Sequence, residues 1–336
     1  MTAGVQGLSQ GFAPNFSHYC RIDMTRALIF PGQGSQAVGM GKELADAFPE
    51  ARFVFEEVDD ALEQKLSKIM FEGPEDELTL TENAQPALMA MSVALIRVLD
   101  KEANFQIATG CSFVAGHSLG EYSALTAAGT FTLSDAARIL KARGRSMQRA
   151  VPVGEGAMAA LIGVELDVAE EIAAEAAGDE VCTAANDNAP GQIVLSGSSG
   201  AINRAVEIAK EKGAKRSIVL PVSAPFHCAM MAPAADVISE VLAEITLQPP
   251  IVPVVSNVTA APEEDPGEVR RLLVEQVTSR VRWRECINKM KELGVDTFVE
   301  VGAGKVLTGM IRRIDKELTG VYIQSAEDLD GFVSGL

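Results

Sequence analysis

Ser118 stands between two glycines in the segment GHSLG, and it is the clearest candidate for chemistry in the sequence. The apolar run SFVAG precedes this segment, and small residues predict a helix after it over residues 121–128. This strand–turn–helix context is typical of a nucleophile elbow. Since the serine would then lie at a helix N-terminus, backbone N–H groups would favour the negative charge that develops during attack. The pattern predicts that Ser118 accepts an acyl group.

A serine nucleophile needs a base, and the sequence contains three histidines. His18 lies in the N-terminal segment, and His117 adjoins the serine inside the turn, where its side chain should diverge from the hydroxyl. By elimination, His227 in SAPFHCAM is the candidate general base. No carboxylate is marked by the sequence as the third member of a triad.

Arg143 lies on the apolar stripe of a helix that is predicted over residues 135–147, with Ser134 as its N-cap. The other basic residues of this segment fall on the opposite face, as solvated charges should: Arg138, Lys141, Arg145 and Arg149. Burying an unpaired guanidinium costs at least ~3 kcal/mol, so Arg143 needs an anion. That anion is either a carboxylate of the protein, in a structural salt bridge, or a substrate carboxylate that the planar fork holds with two bonds.

Two glycine-rich segments have the form of nucleotide-binding loops. PGQGSQA fits G-x-G-x-x-[GA], but a helical pattern stands where the second strand and its acidic residue should follow. The alternative is a loop beside the elbow, in which Gln33 provides a backbone N–H to an oxyanion hole. FVEVGAGK is similar to a methyltransferase glycine loop, but too little chain follows it to build that fold. We interpret it as a tight turn.

Alternating strand and helix patterns around these residues predict an α/β fold. Between about residues 156 and 220 the order is strand, helix, two strands, helix, strand, which is the ferredoxin-like pattern. We therefore expect an α/β-hydrolase-like large subdomain with a short parallel sheet and an inserted ferredoxin-like (βαββαβ) small subdomain. The expected boundaries are 24–152 and 222–318 for the catalytic subdomain, 153–221 for the small subdomain, 1–23 for an unstructured extension and 319–336 for a C-terminal tail.

Composition excludes several classes of protein. The 336 residues carry a net charge of −17, which argues against a broad nucleic-acid surface. Five scattered cysteines without a CxxC pair indicate reduced thiols, and no run of 18 apolar residues predicts a membrane span. Residues 1–23 lack the charged start and apolar core of a secretory signal, so we expect Met24 as the functional start and a cytoplasmic location.

Several motifs occur in a fixed order between Met24 and Leu318: IFPGQGSQ, AGHSLGEYSAL, the arginine in KARGRSM, NDNAPGQIV, SAPFH and EQVTSRVRW. In this set the chain resembles the malonyl-CoA:acyl carrier protein transacylase family. The resemblance implies Ser118 as the acyl-accepting nucleophile and His227 as its base. It further implies the backbone N–H groups of Gln33 and Leu119 as the oxyanion hole, and Arg143 as the clamp for the malonyl carboxylate.

The same resemblance assigns three further residues. The histidine of this family is oriented by a main-chain carbonyl, and the matching position is Gln276, which would explain the missing triad acid. The N-x-N-x-P-x-Q element places Asn188 at the edge of the small subdomain, facing the cleft. In related acyltransferases a phenylalanine just before the histidine accompanies a preference for malonyl over methylmalonyl substrates. Phe226 stands at that position, where its ring would crowd an α-methyl group.

The function implied by the resemblance is ping-pong transfer of malonyl from malonyl-CoA to the phosphopantetheine thiol of acyl carrier protein, for fatty acid synthesis or a polyketide pathway. It requires no metal or redox cofactor, and a monomer is expected. Two other functions remain open: an esterase-type hydrolase with water as acceptor, and a non-catalytic module that binds acyl groups or carrier protein.

Carrier proteins of this kind are acidic, so docking onto a chain of net charge −17 requires a local basic patch. The sequence offers two clusters. They are Arg280, Arg282 and Arg284 near Gln276, and Lys210, Lys212, Lys215 and Arg216 on the insertion.

Overall fold

The computed structural model of the protein describes residues 26–333. The predicted extension over residues 1–23 and the predicted start at Met24 lie outside these residues. Within them the chain forms ten strands: β1 (Arg26–Phe30), β2 (Phe113–Gly116), β3 (Gly156–Ile162), β4 (Cys182–Ala189), β5 (Gln192–Ser198), β6 (Arg216–Val219), β7 (Val254–Val255), β8 (Pro262–Glu263), β9 (Thr297–Val301) and β10 (Thr319–Ile323).

Helices surround both sheets. The α-helices are α1 (Lys42–Ala47), α2 (Pro49–Leu62), α3 (Leu66–Glu72), α4 (Glu75–Thr79), α5 (Thr81–Ala103), α6 (Ile107–Gly110), α7 (Leu119–Ala127), α8 (Leu133–Ala150), α9 (Leu166–Ala177), α10 (Ser199–Glu211), α11 (Ala232–Ala243), α12 (Pro266–Gln276), α13 (Trp283–Glu292), α14 (Val306–Ile314) and α15 (Ala326–Val333). A short 3₁₀ helix at Ala229–Met231 directly precedes α11. No helix in residues 26–333 is both long and apolar enough to cross a lipid bilayer.

Six strands form the larger sheet in the order β10-β9-β1-β2-β7-β8, parallel except for β8. Its central strand is buried on both faces, because Leu28 and Phe30 pack in one apolar cluster while Ala27 and Ile29 pack in another. Parallel strands carry their carboxyl ends to one edge, so the loops after β1 and β2 meet there. This edge positions GHSLG beside PGQGSQ.

Four antiparallel strands form the second sheet in the order β4-β5-β3-β6, with α9 and α10 packed against it. The element order β3-α9-β4-β5-α10-β6 agrees with the predicted pattern. β4 also bonds the segment between α12 and α13: the Asp187 N–H donates to the Val281 carbonyl at 2.9 Å, and the Val281 N–H donates to the Ala185 carbonyl at 2.8 Å.

Two predicted boundaries are wrong. Thr319–Ile323 pairs in parallel with Thr297–Val301, so it is an edge strand of the larger sheet and not part of a tail. The helix that carries Arg143 begins before Ser134, because Thr132 is its N-cap and accepts a hydrogen bond from the Asp135 N–H at 3.1 Å. An N-cap hydroxyl bonds the N–H of the second or third helical residue, as Thr132 does here. The Ser134 hydroxyl instead donates to Glu57 Oε1 at 3.1 Å.

Candidate active site

The turn between β2 and α7 holds Ser118 in a strained backbone conformation, with φ 54° and ψ −109°. The glycines on either side permit it by close approach. A Cβ on Gly116 would lie 1.9 Å from the Gly120 carbonyl, and a Cβ on Gly120 would lie 2.3 Å from the Phe30 oxygen. Since side chains at these two positions would collide with backbone, only glycine fits, and the GHSLG sequence follows from the packing of this turn.

His227 reaches the serine from the other side of the cleft. Its Nε2 lies 2.8 Å from Ser118 Oγ, and its Nδ1 lies 2.9 Å from the Gln276 carbonyl oxygen. A carbonyl only accepts, so Nδ1 carries the hydrogen and Nε2 is free to accept the serine proton. Burial, assisted by the charge of Arg143, lowers the pKa of His227 to about 3. The imidazole is therefore a neutral base at physiological pH.

Arg143 points its guanidinium at Ser118 while only 1% of the residue is exposed. Nη1 donates to Gln85 Oε1 at 2.8 Å, and Nη2 donates to Gln276 Oε1 at 3.0 Å and to Ser118 Oγ at 3.1 Å. All three acceptors are neutral, and none of the ion pairs within residues 26–333 includes Arg143. Arg143 therefore forms no structural salt bridge with residues 26–333, which was one of the two alternatives for it. The guanidinium remains available to an anionic ligand.

A cleft of about 350 Å³ between the two sheets contains these groups. Gln33 and Leu119 both line it beside Ser118. Leu119 is the first residue of α7, so its N–H has no acceptor within the helix. Gln33 follows β1, and its side chain donates to Thr81 Oγ1 at 3.2 Å. The arrangement brings the two predicted oxyanion residues to the same cavity as the nucleophile.

Phe226 lines the same cleft directly before His227, and 8% of it is exposed. Asn188 has a different contact. Its Oδ1 lies 2.8 Å from His117 Nε2, and burial lowers the pKa of that histidine. His117 therefore points away from the serine hydroxyl, as predicted. The contact between Asn188 and substrate stays a prediction, and the asparagine that lines the cleft is Asn186.

Comparison with known proteins identifies the kind of enzyme. Residues 27–328 match the acyl transferase domain family. A relative from Bacillus subtilis (strain 168), named malonyl CoA-acyl carrier protein transacylase, is 45% identical over 305 residues, which cover 90% of this chain and 95% of that protein. The chain belongs to the malonyl-CoA:acyl carrier protein transacylase family of acyl transferases, and the resemblance seen in its motifs is confirmed.

Solved structures of acyl transferases agree with this assignment. An acyl-carrier-protein-S-malonyltransferase from Bartonella henselae superposes with a TM-score of 0.90 at 55% identity, over 92% of this chain and 98% of that one. A malonyl-transacylase solved in complex with a type II PKS acyl-carrier protein superposes with a TM-score of 0.89 at 40% identity, over 93% and 99% of the two chains.

Sequence reasoning missed two residues that hold this acyltransferase site together. Gln85 orients Arg143, and its signal is an amide directly before the apolar run PALMAM of α5. Asn257 follows β7, its Oδ1 accepts from the Ser118 N–H at 2.7 Å, and its Nδ2 donates to the Gly116 carbonyl at 2.8 Å. A polar residue at the carboxyl end of a strand in this sheet is a signal that could have identified it.

Proposed function

We propose that this acyltransferase moves a malonyl group from malonyl-CoA to the phosphopantetheine thiol of acyl carrier protein through a malonyl-serine intermediate. One observation carries the proposal: the buried Arg143 has only neutral acceptors and lies 3.1 Å from Ser118 Oγ. An acyl group on that oxygen that ends in a carboxylate would supply the missing anion and form charge-assisted bonds. The names of the relatives support the same substrate and acceptor.

The first half-reaction forms the acyl-enzyme. His227 Nε2 takes the Ser118 proton, and Oγ forms a bond to the thioester carbonyl carbon. The oxyanion is placed against the backbone N–H groups of Gln33 and Leu119. The carbon–sulfur bond then breaks, and the coenzyme A thiolate takes the proton from His227. Arg143 holds the carboxylate while the ester waits.

The second half-reaction reverses these roles. The carrier thiol gives its proton to His227, its sulfur attacks the ester carbonyl, and Ser118 leaves and recovers the proton. Each bond that breaks is matched by one that forms, and no electrons are exchanged. We therefore propose that the transfer uses no metal or redox cofactor.

Selectivity for malonyl is proposed to come from Phe226 as well as from Arg143. Phe226 lines the cleft beside His227, where an α-methyl group of a bound acyl chain would meet its ring. A single methyl group is discriminated by only about 1–3 kcal/mol, so we expect a preference for malonyl over methylmalonyl rather than strict exclusion.

We propose β6, together with Lys215 before it and the residues after it, as the docking surface for carrier protein. Of the two basic clusters in the sequence, the one near Gln276 already has its cations in ion pairs: Arg280 with Glu170, Arg282 with Glu285, and Arg284 with Asp187. On the insertion, Lys210 and Lys212 are paired too.

By contrast, Lys215 and Arg216 are exposed and take part in no ion pair among residues 26–333. Arg216 begins the edge strand β6, which also exposes Ile218 and Val219. The chain then runs through Leu220 into the lining of the catalytic cleft. An acidic carrier protein bound at this edge would have its phosphopantetheine arm beside the entrance of the catalytic cleft.

The finer assignments follow from the same reasoning. We propose an α/β-hydrolase-like large subdomain, supported by the elbow after a parallel strand, and a ferredoxin-like small subdomain, supported by its strand order. We propose a cytoplasmic monomer that serves fatty acid synthesis. A polyketide carrier is the second candidate, because one structural neighbour was solved with a type II PKS carrier protein.

The deciding experiment follows the acyl group by mass. The protein is incubated with malonyl-CoA, the adduct is located by peptide mass spectrometry, and carrier protein bearing phosphopantetheine is then added. We expect malonyl on Ser118 and its transfer to the carrier. An adduct on another residue contradicts the site. Release to water with the carrier unmodified indicates a hydrolase, and the absence of any adduct indicates a binding module.

A further inference from the structure

Glu121 is a buried carboxylate three residues after the nucleophile, and the mechanism above does not use it. It lies in the first turn of α7 with 3% of the residue exposed. Its Oε2 accepts two hydrogen bonds, from the Asn257 N–H at 2.9 Å and from Gln276 Nε2 at 2.8 Å. Burying a carboxylate costs free energy, so the burial of Glu121 beside the active site requires an explanation.

The side-chain amide of Gln276 lies between this carboxylate and Arg143. Its Nε2 donates to Glu121, and its Oε1 accepts from Arg143 Nη2 at 3.0 Å. A guanidinium only donates, and an ionised carboxylate only accepts. A single orientation of the amide therefore satisfies both neighbours. Turning it over would aim N–H groups at Arg143 and an oxygen at Glu121.

We propose that Glu121 is a positioning residue for malonyl transfer: its ionised carboxylate sets the orientation of the Gln276 amide, which in turn holds Arg143 beside Ser118. The same carboxylate bonds the backbone of Asn257, whose side chain holds the elbow. This inference rests on the proposed function, because the position of Arg143 affects the reaction only if Arg143 binds the malonyl carboxylate.

The proposal also predicts a pH dependence with a definite sign. Burial raises the pKa of Glu121 to about 7, against the lowering effect of the Asn257 and Gln276 hydrogen bonds and of Arg143. Below that pH the carboxyl is protonated, so Gln276 Nε2 loses its charge-assisted hydrogen bond to Glu121 and keeps its bond to the neutral Ser118 carbonyl at 3.1 Å, which holds the amide less firmly. Malonyl transfer should fall as the pH falls through about 7.

The other ionisable groups facing Glu121 titrate elsewhere. Arg143 on α8 stays a cation. Burial raises the pKa of Tyr122, the next residue of α7, to about 12, and burial raises the pKa of Cys286 on α13 well above its usual value. The pKa of His227 is lowered to about 3. A midpoint near 7 therefore points to Glu121 and not to the catalytic histidine.

The test compares Glu121→Gln with the unchanged protein, using the rate at which Ser118 is acylated by malonyl-CoA and by acetyl-CoA. Hydrogen bonds to charged groups are stronger than neutral ones, so we expect malonyl acylation to fall about 10-fold. Acetyl acylation should change much less, because acetyl carries no carboxylate for Arg143. In a Gln276→Leu background, adding Glu121→Gln should leave the malonyl-to-acetyl ratio unchanged.

Glu300→Gln is the matched control. Glu300 is also a fully buried carboxylate, but it accepts bonds from the Leu307 and Thr308 N–H groups at the start of α14. This variant should lose thermal stability without any change in the ratio. Equal losses with both thioesters in Glu121→Gln would show a merely structural role and overturn the proposal, as would no loss.

The unchanged protein gives a second measurement, which holds even if the variant does not fold. The malonyl-to-acetyl ratio should fall about 5-fold between pH 8 and pH 6, because the carboxylate fraction falls about tenfold while the protonated form keeps about a tenth of the malonyl rate, as in Glu121→Gln. A flat ratio overturns the proposal. If the unchanged protein forms no malonyl adduct on Ser118 at any pH, the proposed function fails, and that outcome is distinct from the failure of this inference.

Discussion

Two arginines in different regions of the molecule illustrate how differently a guanidinium can be accommodated. Arg284, where α13 meets β4, bonds the fully buried Asp187 at 2.9 Å and also Glu165 at 3.1 Å. Arg143, in the cleft between the sheets, is more deeply buried and bonds only neutral oxygens. The first charge is neutralised by the protein, while the second has no carboxylate partner among residues 26–333.

The difference separates a structural arginine from one that we propose serves a ligand. A buried ion pair satisfies itself and joins two parts of the fold, here the small sheet and α13. A buried cation that bonds amide oxygens, with its nearest carboxylate one amide away at Glu121, keeps its position and can still stabilise an anion that contacts it directly. The charge of the partners, more than burial alone, distinguishes the two regions, and four experiments test this difference.

The largest effect should come from removing the nucleophile. Ser118→Ala should abolish the malonyl adduct and lower transfer to carrier protein by about 10⁴-fold or more, since the remaining groups have no atom to acylate. Peptide mass spectrometry and a transfer assay measure both. Transfer that persists without the serine would mean that the cleft only binds its ligand.

The next experiment removes each arginine in turn. Arg143→Ala should reduce malonyl acylation by about 10²-fold, because two charge-assisted hydrogen bonds to the carboxylate are lost, and acetyl acylation should fall far less. Rates with the two thioesters provide the measurement. Equal losses with both would place Arg143 in the structural class with Arg284.

Arg284→Ala should show the opposite behaviour. The variant leaves the buried Asp187 without its cation, so the free energy of unfolding should fall by about 3 kcal/mol. This value is at the low end for breaking a buried ion pair, because 22% of the Arg284 side chain is exposed. Urea unfolding would measure the loss. The malonyl-to-acetyl ratio should not move, and a changed ratio would show that the two regions are coupled.

A smaller effect is expected from unpaired cations at the surface. Reversing the charge of Lys215 and Arg216 to glutamate should raise the KM for carrier protein about 3- to 10-fold at low salt, with the difference fading as salt is added. The control is Lys210→Glu, on the same insertion, since Lys210 is already paired with Glu207. If both changes behave alike, β6 is not the docking surface.

The smallest effect concerns pH and the base. The pKa of His227 is lowered to about 3, so its neutral form is lost only as the pH falls through that value. Acylation by acetyl-CoA, which leaves the Arg143 charge in place, should therefore change less than about 2-fold between pH 8 and pH 5.5. A drop of about 10-fold at pH 5.5 would instead indicate an ordinary histidine near 6.5.

Local patterns were sufficient for the elbow and for much of the architecture. Gly116 is required by the backbone of its own turn, although Gly120 is required by the backbone of Phe30 at the end of β1. The periodicity of the small sheet predicts the order of its strands and helices. Helix and strand ends were less predictable. Thr132 and Ser134 are equally good caps by type, and only the folded chain shows which hydroxyl meets an N–H.

The sequence by itself determined the family and the burial of Arg143, and it singled out Ser118 and His227 as candidates, because each depends on residue type, near-neighbour spacing or motif order. Tertiary structure alone decided what Arg143 bonds. Gln85, Gln276 and Glu121 come from three separate helices, and they meet because the larger sheet brings its loops to one edge. Periodicity reports whether a side chain is buried, whereas the charge of its partners depends on contacts between residues more than one hundred positions apart.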